Sequence, residues 1–257
     1  MKMANGNPIP LLKPDEIHIW LFDLDDPNQD SSVWEGLLSV EEASCSKRYR
    51  FNQDRLRFVV RRGILRQLLA YYTSLEPSAI TYHTNPYGKL SLPSHPLKFN
   101  LSSCQNRVIF TFMLENELGV DLEQVRPLTE LNQMVKHWFS PAEQASLFAL
   151  APDLHKEAFF HIWTQKEAFL KAHGEGLSLP LQDFSVSVNP KRPGGVLSIR
   201  NGTEEVSDWK MYTYELATGW RAAVCAETEL NMDVLWHKPE LVDFETKVTS
   251  MKMSISV

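Results

Sequence analysis

Asp121 and Glu123, in the run GVDLEQV, are two carboxylates with an evident joint use. In an extended chain, period two puts both on one face and turns Val120 and Leu122 to the other, with the carboxylates about 7 Å apart. Oxygen ligands at that spacing suit one hard divalent cation, Mg²⁺ first and Mn²⁺ as the alternative. Further along, EAFFHIWTQKEAFLKAHG reads as a helix with Glu167 and Lys171 one turn apart on one face. Trp163 lies one turn before Glu167, so this face is partly aromatic rather than simply wet. A carboxylate beside an aromatic ring, with a lysine beyond it, suits a metal ligand next to an anion-binding ammonium. Taken singly, each pattern has a plainer use: an edge strand with one wet face, and a surface i,i+4 ion pair.

The first half carries groups of a different kind. Asn85-Pro86-Tyr87-Gly88-Lys89, leading into Leu90, is a turn whose glycine permits close backbone approach. Phe99-Asn100-Leu101-Ser102-Ser103 ends a strand with small hydroxyls. Hydroxyls, backbone amides and a lysine are what phosphate oxygens require. Other chemistries lack their motifs: GxxxxGK[ST], GxSxG, CxxC and HExxH are all missing from the sequence. Gly174-x-Gly176 follows a helix, with Gly174 as its C-cap, so it is no dinucleotide fingerprint. His161 and His173 have no nucleophile at a recognisable spacing and read as core or surface residues.

The elements that position these groups occur twice, at an offset of about one hundred residues. Strand-like IHIWLF (17–22) matches LGVDL (118–122). Ser39-Val40-Glu41-Glu42 matches Ser140-Pro141-Ala142-Glu143, and both are S-x-x-E capping boxes. A long helix follows each, one striped with Phe58, Leu65, Leu68, Leu69 and Tyr72, the other with Phe159, Trp163, Phe169 and Leu170. AITYH and KLSL then match FSVSV and VLSI, and KFNLS with VIFTF matches WKMYTYEL with WRAAVCA. The expected fold is α+β, two similar α/β-type halves (1–116 and 117–228) related by a pseudo-twofold axis. Residues 229–257 read as an extension or tail. A cleft between two such halves is a natural ligand site. The helix carrying Leu131, Met134, Val135 and Trp138 is a candidate partner contact, although its stripe also suits core packing.

Composition narrows the class. The 257 residues are 43% apolar and 23% charged, which is ordinary for a globular protein able to bury a core without staples. The three cysteines, odd in number and far apart, point to a reducing cytoplasm, and the N-terminal prolines interrupt any signal-like apolar run. Neither a membrane span nor a nucleic-acid module is expected. Net charge is −6, yet eight basic residues stand between Lys47 and Arg66 against the single acid Asp54. That cluster favours a local polyanion partner or a solvated helix face.

In this order the pieces resemble the Sfp-type 4′-phosphopantetheinyl transferase family. GVDLE (119–123) and WTQKEAFLK (163–171) resemble its two signatures, supported by FSPAE (139–143), GEGLSLPL (174–181), the YGK turn (87–89) and FNLS (99–102). The resemblance spans roughly residues 15–228. It implies that Asp121, Glu123 and Glu167 ligate Mg²⁺ and that Lys171 contacts the coenzyme A diphosphate. It also implies that Arg57, Lys89 and Ser102 hold the coenzyme's phosphates while the Asn85–Leu90 turn packs on the adenosine. The implied reaction moves 4′-phosphopantetheine to a serine of an acyl or peptidyl carrier protein and releases 3′,5′-ADP. Glu123, Glu167 or a metal-bound water would take the serine proton. The implied enzyme is a cytoplasmic monomer, and the competing expectation is a carrier-binding module without catalysis. Ser103 stands where the family places a histidine, and Glu42 and Cys45 stand near the first capping box where the family often has lysines, for which Lys47 and Arg48 are candidates to compensate.

Overall fold

The computed structural model describes residues 11–26, 31–93, 95–174, 176, 179–199, 205–216 and 219–237. In order these form β1 (Glu16–Asp23), α1 (Ser31–Glu35), α2 (Val40–Ser46), α3 (Asn52–Thr73), β2 (His83–Thr84), β3 (Leu90–Ser91), β4 (Leu97–Cys104) and β5 (Arg107–Leu114). They continue with β6 (Leu118–Gln124), α4 (Leu131–Trp138), α5 (Pro141–Phe148), α6 (His155–His173), β7 (Phe184–Val186), β8 (Val196–Ile199), β9 (Trp209–Leu216), β10 (Trp220–Glu227) and β11 (Asp233–His237). The fold is α+β. Its two main sheets run β11-β1-β5-β4 and β6-β10-β9, and two short hairpins pair β2 with β3 and β7 with β8.

The apolar runs are explained by burial on both strand faces. On β1, Trp20 and Phe22 pack with Ile64, Leu65, Leu68 and Leu69 of α3. Ile17 and Ile19 face the opposite way and meet Val120, Leu122 and Val224 of the second sheet. Ala223 and Cys225, on the outer face of that sheet, pack with Phe169 and Ala172 of α6. The layers are therefore α3, first sheet, second sheet and α6. Leu131, Met134, Val135 and Trp138 of α4 pack on the α6 core, so core packing is the use the structure gives that stripe.

The order of elements repeats as the sequence implies. Strand order β1-β5-β4 in one sheet matches β6-β10-β9 in the other. Both capping boxes form: Ser39 Oγ accepts from Glu42 N (3.2 Å) and Ser140 Oγ from Glu143 N (3.2 Å). Each capping glutamate also receives a buried cation from the long helix that follows. Arg66 Nε lies 2.6 Å from Glu42 Oε2, and Lys166 Nζ lies 2.9 Å from Glu143 Oε2. Each cation then donates to two loop carbonyls, Arg66 to Pro77 and Ile80, Lys166 to Leu181 and Phe184. Charges at such depth persist only when paired and hydrogen-bonded.

Three expectations change. Arg66 belongs to this buried pair and not to an exposed polyanion-binding surface. The strand expected over AITYH is reduced to β2, because Pro77–Ala79 turns as a 3₁₀ helix and the Ile80 carbonyl is held by Arg66. Within the stretch read as an extension from residue 229, β11 pairs in parallel with β1 and completes the first sheet. Residues 238–257 of that extension lie outside the described residues.

Candidate active site

The two sheets meet where β4 runs beside β6, and side chains bridge the seam. Asn100 Oδ1 accepts from Val120 N (3.0 Å), Ser102 Oγ donates to Asp121 Oδ1 (2.9 Å), and Gln105 Nε2 donates to Gln124 Oε1 (2.6 Å). Asn100 thus satisfies a buried backbone amide and fixes β6 against the first sheet. As period two requires, Val120 and Leu122 enter the core between the sheets, while Asp121 faces α6.

Gly119 determines how near α6 can come. A Cβ placed there would lie 2.8 Å from the carbonyl carbon of Lys171, and closer still to the Ala168 carbonyl oxygen and the Ala172 amide nitrogen. The helix backbone occupies the space of a side chain, and that approach delivers Lys171. Its Nζ lies 2.6 Å from Asp121 Oδ1 and 3.1 Å from Ser102 Oγ. Gly174, at φ 81°, stops the helix just beyond, in a conformation that suits glycine.

Asp121 is buried, and its second oxygen, Oδ2, is enclosed without a hydrogen-bond partner. Burial raises the Glu167 carboxyl above the ordinary range, and the negative charge of Asp121 raises it further, against the pull of Lys171. Burial and then Asp121 likewise raise Glu123, while a Cys104 contact (Sγ to Oε2, 3.6 Å) and Arg126 (3.7 Å) work the other way. Three carboxylates that repel one another, one with an orphaned oxygen, are chemically suited to a hard cation. As placed, no three acidic, histidine or cysteine side chains among the described residues converge closely enough to hold a metal ion. Lys171 is the cation that Asp121 grips in this arrangement. The donor set therefore fits Mg²⁺ in chemistry, and holding it requires the side chains to draw in.

Above Lys171 opens a cavity of about 420 Å³, lined by Ser102 and Ser103, by Tyr87, Gly88, Lys89 and Leu90 of the turn, and by Arg61 and Arg62 of α3. Asn85 and Pro86 lie outside the lining. Asn85 holds the turn instead: Oδ1 accepts from Tyr87 N and Lys89 N, and Nδ2 donates to the Gly174 carbonyl (2.7 Å). The Lys89 ammonium donates to Glu117 Oε2 (2.6 Å) and to the Ala172 carbonyl (2.7 Å), tying the turn to the end of α6. Burial pulls its pKa below the usual lysine value despite Glu117. Arg57 is directed away from the cavity, with its guanidinium forked onto Asp25. Arg61 stands there in its place, with Nη1 donating to Ser103 Oγ (2.6 Å). The charge run 47–66 contained Arg61, but only the turn of α3 toward β4 singles it out. Lys47 is exposed, and Arg48 lines a separate cavity beside Glu42.

A cavity with a lysine gripped by a carboxylate at its base and guanidiniums at its rim has the charge that phosphate groups require. The family model described as the 4′-phosphopantetheinyl transferase superfamily matches residues 117–225, which include β6 and α6. The chain is 34% identical to 4′-phosphopantetheinyl transferase HetI of Nostoc sp. (strain PCC 7120) over 186 residues, covering 71% of this chain and 78% of that one. It is 31% identical to 4′-phosphopantetheinyl transferase Sfp of Bacillus subtilis (strain 168) over 199 residues, covering 77% and 86%. The chain belongs to the 4′-phosphopantetheinyl transferase superfamily.

Proposed function

We propose that this enzyme transfers the 4′-phosphopantetheine of coenzyme A to a serine hydroxyl of an acyl or peptidyl carrier protein and releases 3′,5′-ADP. The observation that carries the reading is the Lys171 ammonium held by Asp121 and Ser102 at the base of the cavity.

Asp121, Glu123 and Glu167 would hold Mg²⁺, or Mn²⁺, which when bound supplies positive charge to the diphosphate and its leaving group. The chain's own residues do the rest. Lys171 sits where a phosphoryl oxygen gains charge, and Asp121 and Ser102 hold its ammonium at the base of the cavity. The serine hydroxyl must lose a proton as it attacks, with Glu123 or Glu167 as the acceptor. Tyr87 to Leu90 form a wall for the adenosine, positioned by Asn85 and by the Lys89 anchor.

Residues 1–116 and 117–228 then act as two duplicated halves, the first contributing nucleotide contacts and the second the carboxylates and Lys171. We place the enzyme in the cytoplasm as a monomer. Its three cysteines are free, and among the described residues no helix is long and apolar enough to cross a membrane. The test is incubation with coenzyme A, Mg²⁺ and a panel of apo-carriers, following intact mass and 3′,5′-ADP release. Modification of a carrier with matching nucleotide release is expected; no modification of any carrier would overturn the assignment.

A further inference from the structure

The duplicated order of elements carries a second cavity that the transfer step leaves unused. In the first half the β2–β3 hairpin turns at Asn85-Pro86, and Asn85 shapes the turn. Its Oδ1 accepts from Tyr87 N (3.0 Å) and its carbonyl from Gly88 N (3.0 Å). In the second half the β7–β8 hairpin turns at Asn189-Pro190 with the same two bonds, Oδ1 accepting from Lys191 N (3.0 Å) and the carbonyl from Arg192 N (3.0 Å). Each turn borders a cavity on the corresponding strand of its own sheet. The active-site cavity takes residues 99–103 of β4, the third to seventh counted from Leu97. A cavity of about 500 Å³ beside the second turn takes residues 211–215 of β9, the third to seventh counted from Trp209. The second cavity is the duplicate of the first.

Its lining is cationic. Lys191 and Arg192 stand on the turn, exposed and, among the described residues, without carboxylate partners. Arg221 of β10 lines the same cavity with its side chain only 6% exposed. Its Nη2 reaches Glu157 at 3.4 Å and Glu215 at 3.6 Å, but these carboxylates are 41% and 72% exposed, so water screens both contacts. Nearby His161 brings no negative charge: burial, and then the charge of Arg221, keep it neutral down to about pH 4. The turn is pinned in place, Gly194 N donating to Thr213 Oγ1 (3.1 Å) and Gly195 N to Gln165 Oε1 of α6 (3.0 Å). Thr213 accepts in that bond, which leaves its hydroxyl hydrogen to donate into the cavity it lines. Three cations therefore surround this space against one carboxylate, Glu215, and the excess of two positive charges matches a phosphate monoester dianion. Guanidinium forks, an ammonium and a hydroxyl are the donors that phosphate oxygens take, and the volume suits a small molecule.

Independently of the transferase reading, we propose that the cavity between the Asn189 turn and β9 is a second anion site, binding a phosphomonoester group through Lys191, Arg192 and Arg221. Free phosphate and the phosphates of a nucleotide present the same chemistry, and titration separates them. Backbone amide spectra of the ¹⁵N-labelled protein, followed as inorganic phosphate or 3′,5′-ADP is added at constant ionic strength, read the two cavities separately. Saturable shifts at Gly194, Gly195 and Thr213 are expected, distinct from any at Ser102 and Ser103, and the tighter probe identifies the source. Replacing the exposed pair together, Lys191→Ala with Arg192→Ala, should weaken that affinity at least about tenfold, the loss expected for charged hydrogen bonds. Arg221→Gln should weaken it to a similar degree, with urea unfolding as the check that the variant is folded. No saturable shift at those amides with either probe, equal shifts with sodium chloride, or affinity undiminished in the double variant overturns the site.

Discussion

Replacing Gly119 by alanine should separate the two halves of the active site while adding only one methyl group. The new Cβ would sit 2.8 Å from the Lys171 carbonyl carbon and nearer still to two other backbone atoms of α6. None of these can rotate aside as a side-chain end could. Recovering ordinary carbon contact distances of about 3.5–4.0 Å requires α6 and β6 to part by roughly 1 Å. Overpacking of that kind costs about 1–3 kcal/mol of stability. The Lys171–Asp121 contact, 2.6 Å in the structure, would lengthen beyond hydrogen-bond range. A misplacement of about 1 Å can lower turnover by roughly a hundredfold. Urea unfolding and single-turnover transfer to an apo-carrier measure the two effects separately. A Gly119→Ala protein with wild-type midpoint and wild-type turnover would refute the claim that helix proximity builds the site.

Glu167→Ala should abolish transfer without loss of stability, since burial and Asp121 already disfavour that carboxylate; full activity at limiting Mg²⁺ would count against its place in the metal site. Lys171→Ala should lower kcat more than it raises KM, whereas Lys89→Ala should chiefly weaken coenzyme A binding by freeing the turn from α6; indistinguishable kinetics would remove the distinction. Lys166→Ala leaves Glu143 buried and unpaired and should cost about 3–5 kcal/mol, read as a lowered urea midpoint. Burial holds His161 and His237 down at about 4 in the folded protein, so the unfolded chain binds protons that the folded one refuses. Their contribution is complete above the unfolded histidine pKa of about 6.5 and is lost as pH falls from there toward 4, on the order of 3 kcal/mol for each. Urea midpoints across that range should fall, and His161→Gln should flatten the slope; equal slopes in both proteins would show that His161 is not the cause.

Sequence pattern reached the elements governed by local rules. The two S-x-x-E boxes, the Gly174 stop and the alternation of Val120 and Leu122 against Asp121 are settled by interactions within a few residues, and each appears as read. What escaped depends on partners far along the chain. Strand β11 adds to β1 from more than two hundred residues away, so nothing in DVLWH marks its neighbour. The resemblance implies that Asn85 and Lys89 contact the coenzyme, and what the pattern does not carry is the anchoring of that turn, whose bonds run from these two residues to Gly174 and Ala172 at the end of α6. The basic run 47–66 gave a charge without a direction. The helix divides it, burying Arg66 on Glu42, turning Arg57 to Asp25 and leaving Arg61 at the cavity. Buried pairing of a capping glutamate with a later cation, made in both halves, has a sequence trace in Glu42 with Arg66 and Glu143 with Lys166 at nearly equal spacing. Comparison of the halves could have found it.

The central claim is that the constellation of Lys171, Asp121 and Ser102 moves phosphopantetheine onto a carrier serine. Intact-mass measurement of one apo-carrier and of its serine-to-alanine form, each incubated with coenzyme A and Mg²⁺ and with wild type or Lys171→Ala, tests it most directly. The account predicts one added phosphopantetheine on the serine-bearing carrier with wild type, none on the alanine form, and at most slow addition with Lys171→Ala. Unmodified serine-bearing carrier with wild type, or addition by Lys171→Ala at the wild-type rate, would contradict it.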